Sequence, residues 1–333
     1  MAATIGWLAL SFVMILAGAV VFTNAVEWAG TRLNLGHGAV GSILAAVATA
    51  LPESTIPVVA ILSGEESGQV AIGAVVGAPF LLATLGMVVV GVAALVVGGR
   101  RGQGRRLAVH RASTLRDLSV FLVLLSIALV LGVVPVGKAV HVAAAVVFVV
   151  AYGAYVWRTV ARGGEAGDEA DLGTLYFAPG RGSSPRNVLI IAQVVVGVAL
   201  IVGGAELFVT EVEHLATALG VTTLVLALAL APLASELPEK LNSVLWVRQG
   251  KDSLALGNIT GAMVFQTAIP VAIGMAFVSW RLEPAPAIAM ACAFAGGALA
   301  LLNIRRSSRF TLPWLVVWGA LYGGVLVYLF TGA

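Results

Sequence analysis

Ten long apolar segments place the strongest constraint on what this chain can fold into. They lie at 5–29, 37–63, 69–98, 117–136, 139–157, 187–209, 218–247, 254–279, 286–303 and 312–331. Each is close to or above the roughly 20 residues that an α-helix needs to cross a bilayer. Only 11% of residues are charged, against about 25% in a typical soluble domain. The sequence predicts an all-α polytopic membrane protein with ten transmembrane helices and excludes a soluble globular domain.

The distribution of basic residues predicts the orientation of these helices. Of the 19 Lys and Arg residues, 16 fall in loops on one side of the membrane. Lys138 and Arg281 fall on the other side, and Lys240 lies inside the seventh segment. Because cytoplasmic loops carry the excess of Lys and Arg, we expect both termini outside, in a multi-pass protein of the plasma (inner) membrane. The net charge of +3 then follows from orientation and does not indicate nucleic-acid binding.

An internal repeat divides the chain into two halves. At a shift of 186 residues, the Leu-Pro-Glu triplet at 51–53 falls on the one at 237–239. At a shift of 184, the Gly-x-x-x-Gly pair at 73 and 77 falls on the pair at 257 and 261. The glycines are expected to allow close helix packing.

Each half holds five spans, and an odd number gives the halves opposite orientations. The predicted units are a first five-helix repeat at 1–157, a cytoplasmic linker at 158–186 and a second five-helix repeat at 187–333. Inverted repeats are typical of secondary transporters, which bind their substrate near the bilayer midplane between the repeats.

A Pro-Glu pair lies within the second and seventh spans. Proline removes a backbone hydrogen bond of the helix, and Thr49 and Ser235 lie one turn before Glu53 and Glu239. Hydroxyls, loosened carbonyls and carboxylates are the oxygen ligands that hard cations prefer. A carboxylate at the centre of a bilayer costs about 2.5–3.5 kcal/mol on insertion scales. Protons or cations are therefore expected at both glutamates.

Glu236 allows two interpretations. It could be a cation ligand, or it could mainly pair with Lys240, four residues later in the favourable order. If that pair is neutral, Glu53 and Glu239 leave two negative charges, which suits one divalent ion, two protons or two monovalent ions. Asn258 and Gln266 in the eighth span add polar atoms to the predicted metal site.

These motifs resemble the two alpha-repeats of the calcium/cation antiporter superfamily. The family pattern is G-T-S-x-P-E, followed about twenty residues later by G-N-x-x-G-S, once in each half. Here the first copy reads ATALPE at 48–53 and GAVVGA at 73–78, and the second reads ASELPE at 234–239 and GNITGA at 257–262. The resemblance implies that Glu53 and Glu239 are the central calcium ligands, assisted by Thr49 and Ser235, and that no resident cofactor is needed.

The sequence departs from the family pattern where sodium-coupled members carry oxygen donors or an acid. Those positions hold Ala50, Glu236, Ala78, Ala262, Leu82 and Gln266. Proton-coupled exchange therefore gains weight relative to sodium coupling, with both counter-ions open.

We expect a secondary active antiporter that exports Ca²⁺ or a related cation in exchange for H⁺ or Na⁺. Its partners would be inorganic cations and the lipid bilayer. A cation channel would need a continuous polar pore, whereas apolar residues flank the acidic centre. An intramembrane acid–base enzyme would need a His/Cys metal set or a nucleophile dyad, and neither is aligned within the spans. No feature of the sequence indicates an oligomeric state.

Overall fold

A computed structural model describes residues 1–32, 53–64, 67–98, 107–161, 174–178 and 185–331. Its helices are α1 (Ala2–Arg32), α2 (Glu53–Leu62), α3 (Gly68–Leu81), a π-helix (Leu82–Gly86), α4 (Met87–Gly98), α5 (Arg111–Val133), α6 (Lys138–Ala161), α7 (Asn187–Leu219), α8 (Thr223–Arg248), α9 (Asp252–Phe277), α10 (Pro284–Arg306) and α11 (Leu312–Thr331). Eight helical segments in the described ranges are long and apolar enough to span a membrane, with α3, the π-helix and α4 forming one of them. The predicted all-α membrane fold is confirmed.

The two remaining predicted spans correspond to α8 and α2. Helix α8 runs unbroken through Pro238 for 26 residues, and its first part, Thr223–Glu236, is apolar. Helix α2 covers the end of the predicted 37–63 span, whose earlier part lies outside the described residues.

The helix α7 is longer than the sequence predicted. We expected its span to end near residue 209, but it continues to Leu219. No helix breaker occurs in its polar last turns, and Gly220 ends the helix with φ of 68°, a left-handed conformation that glycine adopts without penalty. The start of α8 shifts accordingly from residue 218 to Thr223, behind the capping side chain of Thr222.

Helix packing follows the two-repeat organisation. Helix α5 of the first half packs on α9, and its counterpart α10 in the second half packs on α3. Likewise α6 packs on α9, while its counterpart α11 packs on the π-helix and α4. The equivalent helices α5 and α10 contact each other, as do α1 and α7. The chain is therefore built as two inverted five-helix repeats; the exact boundaries of 1–157 and 187–333 stay a prediction.

Glycines bring α1 and α7 into close contact. A Cβ atom built on Gly18 would lie 2.9 Å from the carbonyl oxygen of Gly197, and one on Gly204 would lie 2.9 Å from Ile15 Cγ1. Gly18 and Gly204 are equivalent at the 186-residue shift. Since such small residues let helix backbones approach in a membrane, the same contact is made from both halves of the chain.

The repeat glycines of α3 have the packing role predicted for them. A Cβ atom on Gly73 would lie 2.8 Å from the backbone nitrogen of Leu228, and one on Gly77 would lie 2.5 Å from its carbonyl oxygen. Helix α3 therefore packs backbone against backbone on α8. A Cβ atom built on Gly257 or Gly261 would meet no other described part of the chain within 4 Å. Their packing role therefore stays a prediction.

Part of the predicted linker is bound to the transmembrane helices. The backbone nitrogen of Phe177 donates to Oε1 of Gln193 on α7 at 3.0 Å. Nε2 of Gln193 donates in turn to Oδ1 of Asn24 on α1 at 2.8 Å. Both amide side chains are buried, so segment 174–178 joins α1 to α7.

Candidate cation site

A buried ion pair lies in the middle of α8. Nζ of Lys240 is 2.8 Å from Oε2 of Glu236, and Nε2 of Gln266 on α9 donates to Oε1 of the same carboxylate at 2.7 Å. The three residues are 7%, 0% and 1% exposed. Both carboxylate oxygens therefore have a donor, as a buried charge requires. Of the two interpretations of Glu236, the structure contains the pair with Lys240, and the role of Glu236 as a cation ligand stays a prediction.

The four-residue spacing along α8 brings Glu236 and Lys240 together, and Gly86 of the π-helix lies beside the lysine. The spacing of four residues places Glu236 and Lys240 on one face of α8. A Cβ atom added to Gly86, at the end of the π-helix, would lie 3.6 Å from Cε of Lys240 and 3.7 Å from Cγ2 of Ile259. The lysine stem therefore passes close to a backbone without a side chain. Single-turn π-helices are frequent at functional sites.

Glu53 is a second buried carboxylate. It is the first residue of α2 and is 6% exposed. On α6 the Tyr152 ring packs edge-on against Phe265 of α9, with ring centroids 5.6 Å apart. Phe265 precedes Gln266, so Tyr152 lies beside the stretch of α9 that carries the hydrogen-bond partner of Glu236.

Ser235 and Asn258, two further predicted cation ligands, have protein partners. Oγ of Ser235 donates to the carbonyl of Ala231 at 3.3 Å. Nδ2 of Asn258 donates to Oγ of Ser243 at 3.4 Å. The hydroxyl oxygen of Ser235 and the amide oxygen of Asn258 are the atoms with which these residues would bind a cation.

The complete predicted ligand set extends beyond what the structure describes. Thr49 lies outside the described residues, and of Glu239 only the backbone, helical within α8, is described. Among the described side chains no three His, Cys, Asp or Glu residues cluster as a metal site. The assignment of Glu53, Glu239, Thr49, Ser235, Glu236, Gln266 and Asn258 as ligands stays a prediction.

A second buried polar cluster surrounds Asp117, which sequence reasoning missed. Its carboxylate accepts hydrogen bonds from Tyr155 Oη on α6 at 2.9 Å and from Thr260 Oγ1 on α9 at 3.0 Å, and Nη2 of Arg116 lies 3.4 Å away. Asp117 is 4% exposed. Asp117 lies at the predicted start of a span, where an acidic residue can face water and needs no buried partner. In the structure α5 begins six residues earlier, at Arg111, so Asp117 lies within the helix.

Sequence relatives of this chain are membrane proteins. A putative antiporter, CaxA, of Alkalimonas amylolytica is 29% identical over 108 residues, covering 32% of this chain and 34% of that protein. An uncharacterized membrane protein of Methanocaldococcus jannaschii is 22% identical over 279 residues, covering 84% of this chain and 83% of the relative.

Solved structures share the fold. The H⁺/Ca²⁺ exchanger CAX matches with a TM-score of 0.71 at 17% identity, covering 98% of this chain and 81% of the exchanger. The sodium-calcium exchanger NCX_Mj matches with a TM-score of 0.61 at 21% identity, covering 98% and 99%. Both are exchangers and neither is an enzyme. The family model described as sodium/calcium exchanger protein matches residues 3–161 and 189–331. With both repeats matched, this chain belongs to the sodium/calcium exchanger protein family.

Proposed function

We propose that this antiporter exports Ca²⁺ or a related cation in exchange for H⁺ or Na⁺, by alternating access at a midplane carboxylate site. The observation that carries the proposal is Glu53, a carboxylate that is 6% exposed at the first residue of the apolar helix α2 in an exchanger-family chain. Ionised carboxylates at this depth are costly and mark ion pathways. Its repeat equivalent, Glu239, would supply the second carboxylate, with Thr49 and Ser235 as further oxygen ligands.

The charges of the buried residues favour a divalent cation. Lys240 balances Glu236 at 2.8 Å, so this pair contributes no net charge. Glu53 and Glu239 would supply two negative charges to the transported ions. Ca²⁺ neutralises both at once and accepts the oxygen ligands that the site would offer.

The same ion pair argues for protons and against sodium as the counter-ion. A lysine ammonium and the Gln266 amide nitrogen already occupy both oxygens of Glu236, which a sodium ion would otherwise need. Ala50, Ala78, Ala262 and Leu82 offer no side-chain oxygen. We therefore expect two protons to replace one Ca²⁺ at Glu53 and Glu239.

Transport into sealed vesicles with separate gradients tests this function. With sodium absent, an imposed pH gradient should drive ⁴⁵Ca²⁺ accumulation against its own gradient, and protein-free vesicles provide the control. Accumulation above equilibrium distinguishes an exchanger from a channel. A strict requirement for a sodium gradient with no response to pH would contradict proton coupling, and the absence of cation-driven exchange would contradict the function itself.

The proposed orientation places the chain in the plasma (inner) membrane with both termini outside. It is supported by the 16 basic residues on one side against two on the other. In a Cys292→Ala background, a cysteine replacing Arg105 should react with an impermeant maleimide in inside-out vesicles and stay unlabelled in intact cells. A cysteine at Gly137 should show the reverse pattern. Labelling of the Arg105 position from outside would overturn the orientation.

A further inference from the structure

A groove separates α5 from α6 on the outer surface of the bundle. Both helices pack on α9 and make little contact with each other, although only a short turn connects them. The cavity between them has a volume of about 360 Å³, within the range of small-molecule sites. The residues that line it include Arg116, Val120, Val123, Leu124, Ala154 and Arg158.

The polar and apolar residues of this groove lie at different depths. At 1.5 Å per residue, Arg116 is about 26 Å from Val133 along α5, and Arg158 is about 30 Å from Lys138 along α6. The hydrocarbon core is about 30 Å thick, so Arg158 stands at the level of the lipid headgroups and Arg116 close below it. The apolar lining residues continue from there toward the middle of the membrane. By the basic-residue asymmetry this is the cytoplasmic end.

Arginines stand on both walls of the groove at this end. Nη2 of Arg116 is bound to Ser113 and Asp117, and the guanidinium lies over the Tyr155 ring, 5.5 Å from its centroid. These contacts fix the guanidinium, while the Arg116 side chain as a whole stays 25% exposed. Arg158 is exposed on the other wall and forms no ion pair with a described side chain.

We propose that the α5–α6 groove binds one anionic phospholipid of the cytoplasmic leaflet. The lipid phosphate would accept hydrogen bonds from the accessible part of the Arg116 side chain, which is 25% exposed, and from the guanidinium of Arg158. One acyl chain would lie along Val120, Val123 and Leu124. Arginine binds an ionised phosphate through charge-assisted hydrogen bonds. Basic pockets between helices on the cytoplasmic side bind anionic headgroups. The bound lipid would add a bridge between two helices whose direct contacts are few, chiefly Tyr155 with Asp117 and Arg116.

Native mass spectrometry of the full-length protein, titrated with phosphatidylglycerol or phosphatidylcholine, tests this site. Phosphatidylglycerol should bind up to about thirtyfold more tightly, as expected for two arginines near the headgroup at about 1 kcal/mol each. Arg158→Gln should remove most of this preference. Arg248→Gln removes an exposed arginine from the end of α8, outside the groove, and is the matched control that should keep it. Equal binding of both lipids by the parent protein, or equal losses in the two variants, would overturn the proposal.

The acyl-chain part of the site has its own test. Ala154→Trp should fill the groove and weaken phosphatidylglycerol binding about tenfold while both arginines remain. Glycerol 1-phosphate, which carries the phosphate without chains, should compete only weakly. Unchanged lipid binding by Ala154→Trp, with a Tm equal to that of the parent, would contradict occupation of the groove. Competition by glycerol phosphate at equal concentration would mean a free phosphate site only and would also overturn the proposal.

Discussion

Replacing Glu53 with glutamine is expected to reduce cation-driven exchange to the level of protein-free vesicles. The substitution keeps the size and hydrogen-bonding reach of the side chain but removes the charge that would bind the cation. Affinity at oxygen-ligand sites depends on the number of charged ligands. Glu239→Gln should have the same effect, because the repeat makes the two positions equivalent. ⁴⁵Ca²⁺ uptake into proteoliposomes measures both variants.

Glu206→Gln is the matched control for these two variants. Glu206 also lies in an apolar span, on α7, but its side chain is exposed and its carbonyl is bound within its own helix by Thr210. We expect exchange close to that of the parent. Size-exclusion profiles should be the same for all three variants, since a neutral glutamine is easier to bury than glutamate. Near-normal exchange by Glu53→Gln or Glu239→Gln would contradict the two-carboxylate site.

Lys240→Met is expected to lower the free energy of unfolding by about 3–5 kcal/mol, because it leaves the Glu236 carboxylate buried without its counter-charge. Methionine preserves most of the apolar stem that passes beside Gly86, so the lost ammonium dominates. Thermal unfolding in detergent, followed by intrinsic tryptophan fluorescence, would report the loss as a clearly lowered Tm.

The double variant Glu236→Gln/Lys240→Met separates charge from packing. Removing both charges together should recover most of the stability, since neutral replacements of a buried ion pair are often tolerated. The difference between the double variant and the sum of the single variants gives the pair's interaction energy. If Lys240→Met were as stable as the parent, or if the double variant were no more stable than Lys240→Met, the ion pair would not be the stabilising feature.

Local patterns of the sequence predicted the spans and the α8 ion pair. Apolar length identifies membrane helices because lipid leaves a chain few other structures. The Glu236–Lys240 pair could be predicted because both residues lie on one helix at a fixed spacing. Glu53 was found through its repeat partner, and its burial agrees with the expected midplane position.

Contacts between distant helices could not be predicted in the same way. Asp117, Tyr155 and Thr260 come from three spans, and no sequence spacing relates them. Gln266 was identified as a cation ligand from its aligned position, but whether its amide nitrogen faces a carboxylate depends on how α9 is rotated against α8. The α5–α6 groove exists because these two helices diverge, and the lengths of their apolar segments do not predict that divergence.

The asymmetry of the α8 ion pair has a consequence for conformational preference. If the two halves were identical, exchanging their roles would convert an outward-open form into an inward-open form of equal energy. Glu236, Lys240 and Gln266 have Ala50, Ser54 and Leu82 at the equivalent positions of the first half. A charged cluster is thus present on one side of the pseudo-twofold axis and has no counterpart on the other. Any resting preference for one face of the membrane must arise from such differences, and this buried cluster is one of them.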